Sequence, residues 1–218
     1  MTLQSGLLLA MKNTSFGANW LDDIELPAKK LISDSLKSLS FTKEQFIHRA
    51  GDVAGGLFFI EHGKVRINKL SEQGKELLIV DLTCQQWFGF IGCFGSGIRP
   101  NDAIALADTQ ISFLSKAHLD TAIQRYPSIA INAANFLAKY VEVYGKVYEH
   151  SVFKPLEERL TLTLEKLCQF QNSQCINISQ HDLAAMLGVT KEAIGINLNA
   201  LKANGIVALG YRKIELLK

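Results

Sequence analysis

The chain has 218 residues, 48% of them hydrophobic and 20% charged, with 23 Lys or Arg against 21 Asp or Glu. That composition belongs to globular chains and excludes disordered, collagen-like and disulfide-scaffold classes. A net charge of +2 means that any nucleic acid must be gripped by a local basic surface, not by bulk charge.

The apolar runs at Leu7–Met11 and Leu77–Val80 fall far short of the roughly 20 residues that span a bilayer. No basic segment precedes Leu7, as a signal peptide requires. The expectation is a cytoplasmic protein without a membrane partner. Phe16, Trp20, Leu21 and Ile24 read either as an apolar strap on the domain that follows or as a partner contact. Leu31, Ile32, Leu36 and Leu39 recur at helical spacing and predict one short helix over Ala28–Leu39.

From Phe41 to Leu119 short apolar stretches alternate with glycines, with strands expected at Leu57–Ile60, Lys64–Leu70, Leu77–Leu82 and Gln110–Leu114. This spacing is that of a compact antiparallel β domain. After Pro127 the pattern changes. Ile129, Ala133, Phe136, Tyr140, Val143 and Val147 recur at alternating intervals of four and three, a heptad stripe on a helix expected over Ser128–Ser151. A core helix of its own chain would show the same stripe; its length and position favour a two-fold dimer contact through those residues.

From Pro155 helical patterns return at Leu156–Phe170, Gln180–Leu187 and Lys191–Asn204, followed by apolar strands at Ile206–Leu209 and Ile214–Leu217. Helix, helix, turn, helix and hairpin make a winged helix-turn-helix. Ser179 caps one helix, Gly188 ends it, and Thr190 caps the next, whose inward stripe is Ala193, Ile194, Leu198 and Leu201. The second helix is then free to enter a DNA major groove. The candidate DNA contacts are Ser179, Gln180, Thr190, Lys191, Glu192, Gly195, Ile196 and Asn199, with Arg212 and Lys213 in the wing. Thr190, Lys191 and the helix-start amides suit phosphates, whereas Glu192 suits cytosine N4 and Ile196 a thymine methyl.

The run Ile178–Gly195, with the β domain and long helix before it, resembles the CRP/FNR-type bacterial transcription regulators over about Leu36–Leu217. The resemblance implies an α+β chain: a cyclic-nucleotide-binding-like β-roll (a jelly-roll-like double-stranded β-helix) with its N-terminal segment over residues 1–126, a dimerisation helix over 127–153 and a winged helix-turn-helix over 154–218. It also implies a homodimer on near-palindromic double-stranded DNA, with RNA polymerase as a protein partner.

Members that bind cyclic AMP hold it with a cassette similar to G-E-x-G…R-S-A, the glutamate on the ribose and the arginine on the phosphate. This chain has Phe88-Gly89-Phe90-Ile91-Gly92 and then Arg99-Pro100-Asn101-Asp102. Phe90 stands in the glutamate position, Asn101 and Asp102 align with arginine and serine, and Asp102 would repel a phosphate, which argues against cyclic AMP unless a shifted loop repositions Arg99. Trp87, Phe88, Phe90 and Phe94 either fill the pocket outright or line a site for an unknown, more apolar effector. Ile196-Asn197 replace the arginine with which many relatives grip guanine. An alternative reading follows, in which a drifted helix-turn-helix no longer reads DNA and the chain is a sensor or interaction module.

No cofactor, metal site or catalytic residue is expected. Cys84, Cys93, Cys168 and Cys175 form no C-x-x-C pair and read as buried free thiols, with a redox or metal role for Cys84 and Cys93 as the alternative, and a haem on His48, His62 or His118 has only lone histidines behind it. There is no P-loop, G-x-S-x-G or H-E-x-x-H, so the chain is read as a non-enzyme.

Overall fold

The computed structural model describes residues 20–71, 76–211 and 213–217. Its N-terminal half is built on eight strands: β1 Lys37–Phe41, β2 Phe46–His48, β3 Gly56–His62, β4 Lys64–Leu70, β5 Glu76–Thr83, β6 Trp87–Phe88, β7 Asp102–Ala105 and β8 Thr109–Ser115. They form two four-stranded sheets of order β1-β8-β3-β6 and β2-β7-β4-β5. The antiparallel partners β1/β8, β2/β7, β3/β6 and β4/β5 are nested, each pair inside the last, which is the strand pairing of a jelly roll. Alternate positions such as Val65 and Ile67 on β4, or Val80 and Leu82 on β5, are buried, as half-buried strands require.

Four helices complete this part: α1 Leu26–Asp34, α2 Phe90–Phe94, α3 Lys116–Arg125 and the start of α4 Ser128–Phe153. The helix expected over Ala28–Leu39 is therefore half right. It stops at Ser35, and Leu36 precedes a strand whose Lys37–Phe41 backbone pairs with Phe113–Thr109. Trp20, Leu21 and Ile24 are buried in one core with Ala28, Ile32, Leu57, Trp87, Phe90, Leu114, Leu119 and Ala122. The strap is thus part of the β domain, although Phe16 lies outside the described residues.

The C-terminal part comprises α5 Leu156–Gln171, β9 Cys175–Asn177, α6 Gln180–Leu187, α7 Lys191–Ala203, β10 Val207–Gly210 and β11 Lys213–Leu216. β9, unexpected from the sequence, pairs with β11 to make a three-stranded sheet of order β10-β11-β9. Leu160, Leu164 and Cys168 of α5, Leu183 and Leu187 of α6, Ile194, Leu198 and Leu201 of α7, and Ile176, Val207 and Ile214 of the sheet share one core. By contact the chain forms two compact units; one takes Leu70–Ile79 together with Glu142 onward, so that the division passes through α4 between Val141 and Glu142.

Candidate functional site

The helix-turn-helix is fixed by local chemistry. Ser179 Oγ accepts from the Asp182 amide at 3.0 Å, and an Asp182 carboxylate oxygen accepts in return from the Ser179 amide, closing a capping box at the head of α6. Gly188 ends α6 in the left-handed region, at φ 60°, where a residue with a side chain is strained. Two residues later Thr190 Oγ1 accepts from the Ala193 amide at 3.2 Å and starts α7.

Because Ile194, Leu198 and Leu201 face the core, the opposite strip of α7 is solvent-facing: Lys191, Glu192, Ile196 and Asn199 are all exposed. Lys191 and Glu192 form no ion pair among the described residues. Gly195 lies on the flank, half-buried, and a side chain there would meet Gln180 Oε1 at 3.5 Å. Ser179 and Thr190 accept cap hydrogen bonds at the heads of α6 and α7, and no hydrogen bond donated by the Thr190 hydroxyl occurs among the described residues. The wing is the two-residue turn between Gly210 and its partner Lys213. Lys213 is exposed, Arg212 lies outside the described residues, and Tyr211, not singled out from the sequence, is 94% exposed at the tip.

In the β domain Phe88, Phe90, Gly92, Arg99 and Asp102 are buried, Asn101 is half-buried and Ile91 is exposed. Phe90 is 3% exposed, with its ring 5.3 Å from Trp20 and 4.5 Å from Phe136. It is a core residue, without the polar atom a ribose hydroxyl needs. Phe88 stacks on Phe58 at 4.9 Å. Arg99 comes back to Gly89, and each of its two terminal nitrogens gives one N–H to a backbone carbonyl. Nη1 donates to the Gly89 carbonyl at 3.0 Å and Nη2 to the Gly56 carbonyl at 2.6 Å, while its Nε is buried without a partner among the described residues. Gly89 permits this approach: at φ 97° it is in glycine's region, and a Cβ would lie 2.6 Å from Arg99 Nη1.

The turn Arg49-Ala50-Gly51-Asp52, missed in the sequence, closes the other side. The Arg99 amide donates to the Asp52 carbonyl, Gly51 donates to the Arg99 carbonyl, and the Ala50 amide donates to Asp102 Oδ1 at 2.7 Å. Asp102 is thereby occupied within the fold. Burial pulls the Arg99 pKa down and pushes the Cys93 thiol up, leaving Cys93 a thiol. His48, with Phe58 and Phe88 beside it, has its pKa lowered to about 4, first by desolvation and then by Arg99. Of the other expected buried thiols, Cys168 is buried, Cys175 is half-buried and Cys84 is exposed because it follows the end of β5 in a turn. No group of three metal-ligating side chains occurs among the described residues.

The dimer stripe requires correction. Ile129 and Ala133 are 0% exposed and Phe136 8%; all three belong to the core around Trp20 and Phe90. Val143 is buried, Tyr140 packs against the same core, and the Val147 side chain lies outside the described residues. Ile129, Ala133, Phe136, Tyr140 and Val143 are thus packed within their own chain. Exposed apolar positions on α4 include Phe153 at its end and, before it, the series Ile131, Ala134, Ala138, Val141, Gly145, Tyr148 and Val152. The intervals of this series are three and four in strict alternation over three heptads.

A jelly-roll domain, a long helix and a winged helix-turn-helix, in that order, make up a chain of the transcription-regulator class. Residues 38–126 match the cyclic nucleotide-binding domain family and residues 158–218 the Crp-like helix-turn-helix domain family. The chain belongs to the CRP/FNR family of transcription regulators.

It is 28% identical over 165 residues to the Cyclic AMP receptor protein of Thermus thermophilus, covering 76% of each chain. It is 20% identical over 198 residues, 88% of each chain, to the CRP-like cAMP-activated global transcriptional regulator of Mycobacterium tuberculosis. Among solved structures, a putative crp/fnr-family transcriptional regulator of Eubacterium rectale superposes with TM-score 0.76 at 22% identity, over 93% of this chain and 95% of that one. The c-di-GMP responsive regulator CLP of Xanthomonas campestris does so with TM-score 0.75 at 19% identity, over 89% of this chain and 100% of that one. No described helix is long and apolar enough to cross a membrane.

Proposed function

We propose that the chain is a homodimeric, sequence-specific DNA-binding regulator whose β domain does not take cyclic AMP in the manner of the relatives named for it, with RNA polymerase as its expected protein partner. The observation that carries DNA binding is α7: a capped helix held by its inner face to a core, with Lys191, Glu192, Ile196 and Asn199 exposed together on the outer one. A second copy is favoured by the α4 seam. Ile131, Val141 and Val152 on it are exposed, and Gly145 has nothing within 4 Å of where a Cβ would stand. A heptad seam of this kind is buried by the same seam of a two-fold partner. Two recognition helices then meet successive major grooves about 34 Å apart.

Against cyclic AMP stand Phe90, which offers no hydrogen bond, and Arg99, whose two terminal nitrogens already donate to carbonyls. The test is selection of duplexes from a random pool, followed by anisotropy titration at two salt concentrations, with and without cyclic AMP or cyclic di-GMP. Tight, site-selective binding that salt weakens and cyclic AMP leaves unchanged is expected. Weak, sequence-indifferent binding under every condition would instead establish the interaction-module reading, in which Ile196 marks a helix that has stopped reading DNA.

A further inference from the structure

We infer that α7 reads neighbouring A·T pairs, with Ile196 against a thymine 5-methyl group and Asn199 against an adenine edge; the inference rests on the DNA-binding reading above and specifies its target. Ile196 is 70% exposed and so leaves most of its surface in water. Its neighbours on the strip, Glu192 one turn before and Asn199 one turn after, are polar and exposed. Ile196 gains free energy there only by leaving water against another apolar group, and the thymine methyl is the apolar group that the major groove displays.

The two nearby asparagines divide the work. Asn197 is half-buried, and its Nδ2 donates to the Ala193 carbonyl at 2.8 Å, which turns its amide back onto the helix. The Asn199 amide makes no hydrogen bond among the described residues. An unsatisfied amide offers one donor and one acceptor side by side, the complement of adenine N7 and N6. From Ile196 to Asn199 the helix rises about 4.5 Å, close to the roughly 3.4 Å between base pairs, so the two side chains meet the same pair or adjacent ones.

The experiment uses the full chain and the duplex it selects. Each thymine is replaced in turn by deoxyuridine, which removes only the methyl group, and Kd is measured for the wild type, Ile196→Ala and Asn199→Ala. At one thymine in each half-site, deoxyuridine is expected to weaken the wild type about fourfold per half-site. Ile196→Ala is expected to lose the same amount on the natural duplex and to be indifferent to deoxyuridine. Asn199→Ala is expected to lose about tenfold and to stop discriminating against G·C at the neighbouring pair. Since both residues are exposed, an unchanged Tm certifies the fold. A selected duplex on which no deoxyuridine matters, or an Ile196→Ala variant that keeps its sensitivity, overturns this inference alone. A chain that selects no duplex overturns the DNA-binding reading and the inference with it.

Discussion

Phe90, read from the sequence as standing where relatives that bind cyclic AMP have a ribose-binding carboxylate, has its ring tied to Trp20, Phe94 and Phe136. Restoring the acid should not restore the ligand. Phe90→Glu places a carboxylate among buried rings with no partner, and a stability loss of more than about 3 kcal/mol is expected. Calorimetry with cyclic AMP should show no binding heat; a folded Phe90→Glu chain that bound the nucleotide would mean the pocket survives beneath the ring. His48 gives the same domain a pH dependence. Its pKa is about 4 in the fold against 6.5 outside it, so between those values the unfolded chain holds the extra proton. Stability is complete above pH 6.5 and falls as pH drops toward 4, by about 3 kcal/mol from this group. Thermal melts from pH 7 to 4 should show the decline, and His48→Phe, which keeps the aromatic contacts and removes the proton site, should flatten it relative to the wild type.

α4 carries two apolar faces offset by two positions, and both satisfy a heptad rule. The face with the larger side chains reads more strongly in sequence, yet it packs inward because Trp20 and Phe90 reach it from segments dozens of residues away. Leu36 and Leu39 fail for the same reason: their helical spacing is local, whereas the pairing of β1 with β8 joins Lys37 to Phe113. The helix-turn-helix was legible because each determinant, the Ser179 box, Gly188 and the Thr190 cap, acts within four residues. The Arg99 cradle was only half legible, since Gly89 and Arg99 are visible as residues but their closure by Gly56 and the Arg49–Asp52 turn is tertiary. The two faces of α4 are separable by experiment. Val141→Glu on the exposed seam should convert the proposed dimer to a monomer in light scattering while leaving circular dichroism intact. Ile129→Ala on the inner face should cost about 2–5 kcal/mol of stability, as buried truncations do, and leave the oligomer unchanged. A dimer indifferent to Val141→Glu would move the interface off this helix.

The charge of the whole chain is unevenly placed. Residues 154–218 hold eight Lys or Arg and six Asp or Glu, leaving fifteen of each sign in residues 1–153, so the entire net +2 lies in the winged-helix segment. An excess this small makes general attraction to DNA weak, and affinity must come from a few placed cations and from base contacts. If Lys191, Arg212 and Lys213 of each protomer each neutralise one phosphate, a dimer releases counterions from about six, and log K should fall against log salt with a slope near −5. Lys213→Ala removes two of those contacts per dimer and should lower the slope to about −4, weakening selected and random duplexes alike. Tyr211→Ala beside it removes no charge and should leave the slope unchanged. A slope much shallower than −5 would place the wing away from the backbone and leave α7 as the principal contact. A much steeper one would require cations beyond these three, such as Lys202 or Lys166 of the same segment, to reach the duplex.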